Sequence, residues 1–576
     1  MTAVRPLGPE QRAQAWGDLA SGEFEVLVVG GGVTGAGVAL DAATRGLRTA
    51  LVEARDFASG TSSRSSKLFH GGLRYLEQLN FGLVREALHE RDLNVNRLAP
   101  HLVKPVPFLY PLTHRVWERP YVTAGLALYD GLARLGGLSE PMPPQKHLTR
   151  TGARRLFPAL KPDALVGAVR YYDAQADDAR HTLTLARTAA AYGATVLNSA
   201  EVISFSRAGE RVIGARVRDV ETGREVDVRA EVVVNATGVW TDDIQTLVGG
   251  RGRFHVRASK GVHIVVPRDR INGEAGLILR TEKSVLFVIP WGSHWIVGTT
   301  DTDWALDKAH PAASKADIDY ILEHVNRVLT VPLTHDDITG VYAGLRPLLS
   351  GESETTSQLS REHAVARPMP GVIAVAGGKY TTYRPMAADA VDAVADDVTR
   401  PVPPSVTENI PLVGAEGYSA MVNSLDGLSE RWGIPHFRAE HLLNRFGSLA
   451  PEVLALAKDD PTLLEPVPGA EAYLMVEMVW GAAHEAALHL DDLLARRTRI
   501  SIETAHRGVD SAEAVARAVA GVLGWDEDRI ANEVASYTAR VEAERLSQTA
   551  ADDREADAAR VAAPDTRAVA VGRALG

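Results

Sequence analysis

A glycine-rich turn between an apolar strand and a helix, within residues 24–53, constrains this chain more than any other feature. The pattern G-x-G-x-x-G falls on Gly30, Gly32 and Gly35, directly after a valine-rich run, and Glu53 follows at the spacing of a ribose-binding carboxylate. Gly30 permits a tight turn, Gly32 lets backbone approach a pyrophosphate, and Gly35 lets the helix pack closely on the strand. Free N–H groups at the helix N-terminus favour the anion. The segment predicts a Rossmann-like dinucleotide-binding unit.

Composition narrows the class of protein. At 576 residues the chain is long enough for two or more domains. Its net charge of -11 argues against nucleic acid as a main partner, because binding phosphates requires clustered Lys and Arg. Cysteine is absent, which excludes disulfides, thiolate catalysis, cysteine-held metal and a cysteinyl flavin link. No metal is expected. Without an apolar run of about 18 residues, any membrane contact must be peripheral.

Periodicity and turn residues divide the chain into four parts. Residues 1–21 read as an N-terminal leader with one helical turn, and 22–400 alternate strands with helices. Residues 401–545 lose strand signals and become helix-periodic after the linker PVPPS. Residues 546–576 are rich in Ala, Asp and Arg and poor in aromatics, so we expect a disordered tail.

A second glycine junction lies far from the first. The sequence GGKYTTYRPMA, Gly377–Ala387, follows an apolar strand and opens a helix, with Lys379 and Arg384 adding positive charge. In a flavoenzyme such a helix start suits the pyrimidine end of the flavin ring, which becomes anionic on reduction.

Several segments, in a constant order, carry a resemblance to a known family. They are VGGGVTGAGVALDAATRG (29–46), TSSRSSKLFHGGLRYLE (61–77), DDAR (177–180), VNATGVW (234–240), KGVHIVVP (260–267), VIPW (288–291), GTTD (298–301), YAGLRPL (342–348) and GGKYTTYR (377–384). The chain resembles the FAD-dependent, quinone-linked glycerol-3-phosphate dehydrogenases, within the glycine/D-amino-acid oxidase group. The match covers about residues 24–390, and residues 484–499 resemble the family's C-terminal domain.

The resemblance implies an α/β fold with a Rossmann-like FAD-binding domain, a mixed-sheet substrate domain and an all-α C-terminal domain. The two domains are expected to interleave within 22–400. The FAD-binding parts would span about 22–95, 165–255 and 340–398, and the substrate parts about 96–164 and 256–339.

The resemblance also implies an activity and a location. The expected reaction is oxidation of sn-glycerol 3-phosphate to dihydroxyacetone phosphate, with hydride passing from C2 to flavin N5 and electrons passing to a membrane quinone. We expect a cytoplasmic homodimer associated peripherally with the cytoplasmic membrane. Residues 97–120, which interleave basic and aromatic side chains, are a candidate membrane contact; alternatively they form a strand pair over the substrate pocket.

Substrate phosphate requires cations, and alcohol oxidation requires a base. Candidate substrate-binding residues in glycine-flanked, apolar motifs are Arg74, Tyr75, Lys260, Arg346 and Lys379. The alternative for each cation is a structural ion pair. Candidate catalytic residues are His70, His263 and Arg346. The two histidines are the candidates for the base, because the pKa of histidine lies near the working pH. Our hypothesis makes His70 the base, with Arg346 and Arg74 clamping the phosphate; either histidine can instead be a core residue.

Glycine-turn residues and polar side chains of the family motifs are the candidate FAD contacts. They are Gly30, Gly32, Thr34, Gly35, Glu53, Thr61, Ser62, Ser65, Lys67, Ala236, Gly238, Gly378, Lys379 and Thr381. Three acids stay ambiguous at this point. Asp177 and Asp178 can simply cap a helix, and Asp301 either orients a cationic site residue or pins a turn.

Three alternative functions remain open. The nearest is an oxidase of the same substrate that uses O₂ and releases hydrogen peroxide. An amine or amino-acid oxidase would need fewer cations than these motifs supply. A non-catalytic flavin-bearing interaction protein would not need the Arg and His motifs.

Overall fold

The computed structural model describes residues 4–72, 81–113, 142–249, 255–282, 285–349 and 363–567. Two predicted substrate residues, Arg74 and Tyr75, lie outside these ranges.

The described residues form strands and helices throughout. The strands are β1 Glu23–Val29, β2 Thr49–Val52, β3 Leu68–Phe69, β4 Lys104–Leu112, β5 Lys146–Thr149, β6 Gly167–Gln175, β7 Thr195–Leu197, β8 Ala200–Ala208, β9 Arg211–Asp219, β10 Glu225–Asn235, β11 Val256–Pro267, β12 Gly276–Arg280, β13 Val285–Trp291, β14 His294–Gly298, β15 Thr302–Trp304, β16 Gly340–Leu349, β17 His363–Met369, β18 Val372–Gly377, β19 Pro466–Val467 and β20 Ala470–Leu474. The α-helices are α1 Pro9–Ser21, α2 Val33–Thr44, α3 Phe81–Leu93, α4 Arg150–Leu156, α5 Asp178–Ala191, α6 Thr241–Val248, α7 Lys315–Asn326, α8 Tyr383–Ala395, α9 Tyr418–Asn423, α10 Leu425–Trp432, α11 His436–Phe446, α12 Ala450–Ala455, α13 Met475–His484, α14 Leu490–Asp492, α15 Ile500–Glu503, α16 Val509–Leu523, α17 Glu527–Ser547 and α18 Asp553–Val561.

The first sheet has the strand order β17-β18-β10-β1-β2-β7, and β8 and β9 continue from β10. Its central strands run parallel. Along β1 the buried side chains alternate between two cores. Val26 and Val28 face the layer of α2, α5 and α8, whereas Leu27 and Val29 face the layer of α1 and the β8–β9 hairpin. Because both faces are covered, the strand reads as a continuous apolar run.

Helix α1 corrects the predicted leader. It is 13 residues long, and its Trp16 and Leu19 side chains are buried against the first sheet. The apolar residues of this short helix find a partner face that sequence periodicity alone does not reveal. The segment is therefore part of the nucleotide-binding layer.

The second sheet is mixed, with the strand order β15-β11-β14-β13-β12-β4-β6-β3. Strand β11 pairs along its length with β16, so that His263 lies opposite Tyr342 and Ser259 opposite Arg346. Phe108 and Leu109 of β4 are fully buried. Within the candidate membrane segment, residues 104–112 thus form a strand with one face in the core, which agrees with the alternative interpretation of a strand over the pocket.

The C-terminal part consists of α9–α18 with one short hairpin, β19–β20. Buried ion pairs join it to the nucleotide-binding layer. Asp56 accepts hydrogen bonds from Arg496 and Arg497, and Glu485 accepts two from Arg180. No described helix is both long enough and apolar enough to cross a bilayer.

The predicted disordered tail is wrong for the described residues 546–567. Helix α18 lies within it, with Ala556 fully buried beside Trp304 and Leu345. Composition predicted disorder because this stretch offers few apolar side chains. The structure instead holds it with charged contacts to groups that are distant in sequence, such as the Lys260–Asp553 pair.

Candidate active site

A cavity of about 1190 Å³ lies between the two sheets. It exceeds the ~300–1,000 Å³ typical of drug-sized ligands, as a dinucleotide plus a small substrate requires. The predicted site residues that line it are Gly30, Gly32, Thr34, Glu53, Thr61, Ser62, Ser65, His70, Ala236, Gly238, His263, Arg346, Gly378, Lys379 and Thr381.

The glycine turn after β1 forms one end of the cavity. Gly30 has a φ of +109°, and a Cβ there would lie 2.7 Å from the Ala236 carbonyl oxygen. A Cβ on Gly35 would lie 1.8 Å from the Gly30 carbonyl oxygen. Gly35 does not line the cavity; its absent side chain lets α2 approach the turn, which aims the helix N-terminus at the cavity.

Glu53 stands beside this turn at the end of β2. Its Oε2 accepts a hydrogen bond from the Gly31 amide (2.6 Å), and its Oε1 accepts one from the Arg55 amide (2.8 Å). Burial is the largest influence on this carboxyl and raises its pKa, while the two amides oppose that shift. The carboxylate is thus fixed in the cavity wall, with remaining lone pairs available to hydroxyl donors.

The hydroxyls after Gly60 shape the wall around the glycine turn. Ser62 Oγ accepts from the Val33 amide (2.9 Å), Thr61 Oγ1 donates to the Leu345 carbonyl (2.5 Å), and Ser65 Oγ donates to Asp178 (2.7 Å). These bonds tie the loop to α2, β16 and α5. The hydroxyls therefore position the loop in addition to facing the cavity.

Arg346, on β16, also lines the cavity. Its Nη2 donates to Thr299 Oγ1 (3.0 Å) and to the Thr300 carbonyl (3.1 Å). Asp301 Oδ1 lies 3.5 Å from its Nη1 and also accepts a hydrogen bond from Ser259. Of the two roles open for Asp301, the structure supports orientation of a cationic side chain. The guanidinium is held in one pose while its side chain stays about a quarter exposed (23%) to the cavity.

Two histidines line the same region. The His263 ring stacks on Tyr342, with ring centres 4.8 Å apart, and its Nε2 lies 2.9 Å from Ser66 Oγ. Burial, then nearby Arg346 and Lys67, lower the pKa of His263 well below its usual value, so the ring is neutral. His70 is half-buried, its backbone amide donates to Thr381 Oγ1 (3.2 Å), and its ring lies edge-on to Phe287.

Comparison with known proteins places this geometry in a family. Residues 25–384 match the family described as FAD dependent oxidoreductase, and residues 405–530 match the C-terminal domain of alpha-glycerophosphate oxidase. Glycerol-3-phosphate dehydrogenase 2 of Mycobacterium tuberculosis is 64% identical over 562 residues, covering 98% of this chain and 95% of that protein. The mitochondrial glycerol-3-phosphate dehydrogenase of Mus musculus is 37% identical, covering 92% and 75%. The crystal structure of glycerol-3-phosphate dehydrogenase from Bacillus halodurans, complexed with FAD, superimposes with a TM-score of 0.77 at 29% identity, covering 93% of this chain and 98% of that chain.

The chain belongs to the FAD-dependent glycerol-3-phosphate dehydrogenase family. Its cofactor is FAD, and the cavity fits that group. The glycine turn leaves room where a Cβ would meet backbone, Glu53 supplies fixed carboxylate oxygens, and the second glycine junction at Gly378 (φ +77°) also borders the cavity.

Two lysines of this dehydrogenase-family chain were assigned incorrectly from sequence. Lys67 is buried, bonds Asp178 (2.7 Å) and the Ser63 carbonyl (3.0 Å), and does not line the cavity. Lys260 is also buried outside the cavity wall, where its Nζ lies 2.6 Å from Asp317. For both residues the structural ion pair is the correct interpretation. A charge in an apolar motif looks the same in sequence whether its partner is a ligand or a distant carboxylate.

The two helix-capping acids serve more than one purpose in this dehydrogenase. Asp177 caps α5 by accepting from the Arg180 amide (3.2 Å), as expected. Both Asp177 and Asp178 also receive Arg499 from the C-terminal part (2.5 Å each). They therefore couple the cavity-lining loop to the helical domain.

Several residues that build the site were not predicted. Ser66 lines the cavity beside His263, and Tyr342 stacks on the His263 ring from outside the cavity wall. Both stand in the family motifs, next to predicted site residues. Asp565 and Arg567 also line the cavity. No local signal marks them, because they stand in a polar segment near the end of the chain.

Proposed function

We propose that this protein oxidises sn-glycerol 3-phosphate to dihydroxyacetone phosphate. The observation that carries the proposal is one cavity that joins a dinucleotide-type glycine turn to a region lined by a fixed guanidinium and two histidines. The high identity to proteins named glycerol-3-phosphate dehydrogenase supports it. When bound, FAD supplies the two-electron acceptor for the hydride that leaves C2 of the substrate.

Arg346 is the proposed anchor of the substrate phosphate. A dianionic phosphate monoester is bound best by forked, charge-assisted donors. Arg346 presents such a fork, and Asp301 and Thr299 hold it in place. Lys379 lines the same cavity and adds positive charge. Arg74 and Tyr75 keep their predicted roles as part of this proposal.

His70 is the proposed acceptor of the C2 hydroxyl proton. His263 has one nitrogen beside Ser66 and a second nitrogen, Nδ1, that is buried without a hydrogen-bond partner. Nδ1 is therefore buried and Nε2 is engaged by Ser66, and the stacked ring suits the shaping of the pocket. His70 is half-buried on the cavity and better placed to meet a ligand.

Anaerobic mixing of the holoenzyme with glycerol 3-phosphate tests both parts of the proposal. We expect loss of flavin absorbance, a large loss of rate in His70→Asn, and a weaker effect of His263→Asn. In wild type and His263→Asn, the rate of flavin reduction should rise between about pH 6 and 9 as the base loses its proton. This rise should be absent only in His70→Asn. Wild-type reduction rates in His70→Asn across that range would refute the assignment, and an unbleached flavin in the wild type would refute the substrate.

We infer that the electrons then pass to a membrane quinone reached at the bilayer surface. The oxidase alternative predicts release of hydrogen peroxide instead. Turnover should be fast with a water-soluble quinone analogue and should produce little peroxide in air. Stoichiometric peroxide that the analogue does not suppress would favour the oxidase. Cosedimentation with anionic liposomes tests whether the protein associates with a membrane surface. Absence of binding at low salt would refute that association.

A further inference from the structure

The last described residues of the chain reach the cofactor cavity. We define residues 553–567, which comprise α18 and the segment after it, as the C-terminal strap. Asp565 and Arg567 of the strap line the same cavity as Glu53. Arg567 is buried (5% exposed), so the strap is packed in place at this point.

Asp565 grips the residue that supports Glu53. Its Oδ2 lies 2.5 Å from Nη1 of Arg55 and 3.3 Å from Nε2 of His310. The backbone amide of Arg55 is one of the two donors that fix the Glu53 carboxylate. The strap carboxylate thus holds the Arg55 side chain while the Arg55 backbone holds Glu53.

Arg567 grips the adjoining strand connection. Its Nε donates to Ser199 Oγ (2.9 Å), and the Ser199 amide donates to the Arg55 carbonyl (2.6 Å). The next amide, of Ala200, donates to the Glu53 carbonyl (2.8 Å). The other end of the guanidinium is fixed by both oxygens of the buried Asp492, at 3.0 and 2.9 Å.

The start of the strap is anchored to the second sheet. Asp553 pairs with Lys260 (2.5 Å), and Asp557 accepts from the Asp307 amide (3.2 Å). The strap therefore connects the second sheet, the ribose-side wall of the cavity and the C-terminal helices in one stretch of chain.

We infer that the C-terminal strap is part of the FAD-binding site and that Asp565 and Arg567 retain the cofactor by holding the Glu53 wall in its binding geometry. Fixing a binding group before the ligand arrives removes the ordering cost from the binding step, so loss of the strap should weaken retention. Because Asp565 and Arg567 carry opposite charges and each pairs with an oppositely charged side chain, these two residues add rigidity to the wall rather than net charge. The inference rests on the proposed placement of FAD in this cavity.

The test measures FAD release from purified holoenzyme without substrate, by the rise in fluorescence of free flavin. The chain ending at Pro564 removes both gripping residues, and the chain ending at Arg567 is its matched truncation control. Arg567→Gln and Asp565→Asn test the contacts in the full chain. Arg554→Gln, an exposed arginine of α18, is the matched substitution control.

We expect the chain ending at Pro564 and Arg567→Gln to release FAD about tenfold faster or more, with both controls within about twofold of wild type. Asp565→Asn should also release FAD faster, while the urea midpoint of its apoprotein stays near that of wild type, because Asp565 lies against the partly exposed side chains of Arg55 and His310. Faster release in that variant then reports retention of the cofactor and not loss of folding. If the truncated chain does not fold, the two point variants decide.

Wild-type release rates in both point variants would overturn the inference. Faster release that occurs only together with an equally destabilised apoprotein would also overturn it, since the strap would then be merely structural. A wild-type protein that holds no FAD would instead overturn the proposed placement of the cofactor.

Discussion

Replacing Lys260 by methionine separates a structural ion pair from a substrate contact. The Lys260 side chain is fully buried, and its Nζ lies 2.6 Å from Asp317 and 2.5 Å from Asp553. Methionine keeps a long apolar side chain but removes the charge, which leaves the Asp317 carboxylate, only 5% exposed, without its cation. Breaking a buried pair in this way costs about 3–5 kcal/mol.

We expect a loss at the lower end, about 3 kcal/mol in the free energy of unfolding. Asp317 keeps two hydrogen bonds, from the amide (3.0 Å) and the hydroxyl (2.9 Å) of Ser314. Asp553 is one-third exposed (33%) and can be solvated once its partner is gone. Both features reduce the cost of the uncompensated charge.

Urea denaturation followed by tryptophan fluorescence measures this loss. Trp304 is a local reporter, because its ring centre lies 5.0 Å from Lys260 Nζ. Lys315→Met is the matched control: Lys315 pairs with Asp319 at 2.5 Å, but both side chains are about half exposed. The control should lose no more than about 0.5 kcal/mol, as expected for a helix-surface pair.

The kinetics of Lys260→Met should be unaffected, in contrast to its stability. Lys260→Met should keep the KM for glycerol 3-phosphate, whereas Arg346→Met should lose about a hundredfold or more in kcat/KM. Wild-type stability of Lys260→Met together with a raised KM would refute the assignment of Lys260 to structure and return it to the substrate site.

Three further outcomes follow from the structure. Gly35→Ala should purify with little FAD, because its methyl group would lie 1.8 Å from the Gly30 carbonyl oxygen, whereas Gly17→Ala on the open face of α1 should keep its flavin-to-protein ratio. Burial opposes ionisation of Glu485, but its arginine partners prevail and lower the pKa from 4.5 to about 2. The Glu485 contribution to the free energy of unfolding, about 3 kcal/mol, should be complete above pH 4.5 and vanish as the pH falls towards 2. In urea denaturation, the difference in free energy of unfolding between wild type and Glu485→Gln should shrink over that range. Burial and nearby Arg567 oppose protonation of His489, yet hydrogen bonds to Glu221 and the buried Glu533 raise its pKa from 6.5 to about 9. The His489 contribution to the free energy of unfolding should therefore be complete below pH 6.5 and be lost as the pH rises through 9, and His489→Gln should show no such decline. If the difference in free energy of unfolding between wild type and variant stays constant across these pH ranges, the two electrostatic predictions are wrong.

Local patterns predicted the nucleotide-binding layer well. Glycines with positive φ or with no room for a Cβ, and a carboxylate at the end of the second strand, leave a signature within about 30 residues because strand, turn and helix are contiguous. Gly30 and Glu53 accordingly stand where the pattern predicted, at one end of the cavity. The family motifs likewise brought His70, His263 and Arg346 into one cavity wall.

Charged residues were predicted less well. Lys67 and Lys260 resemble ligand-binding cations in sequence, but their carboxylate partners are more than 50 residues away along the chain. The prediction of disorder was wrong for the strap for a similar reason. The order of the strap depends on contacts with Arg55, Ser199 and Asp492 rather than on its own apolar content.

The sequence by itself determined the dinucleotide turn, the alternation of strand and helix, and the family to which the chain belongs, because each depends on residues that are neighbours along the chain. Only the tertiary structure decided which cations face the cavity, that the nitrogens of His263 are buried or lie beside Ser66, and that Asp565 and Arg567 return to the cofactor wall. Charge pairing and burial depend on distances between segments that meet only in the folded molecule, and no local pattern records those distances.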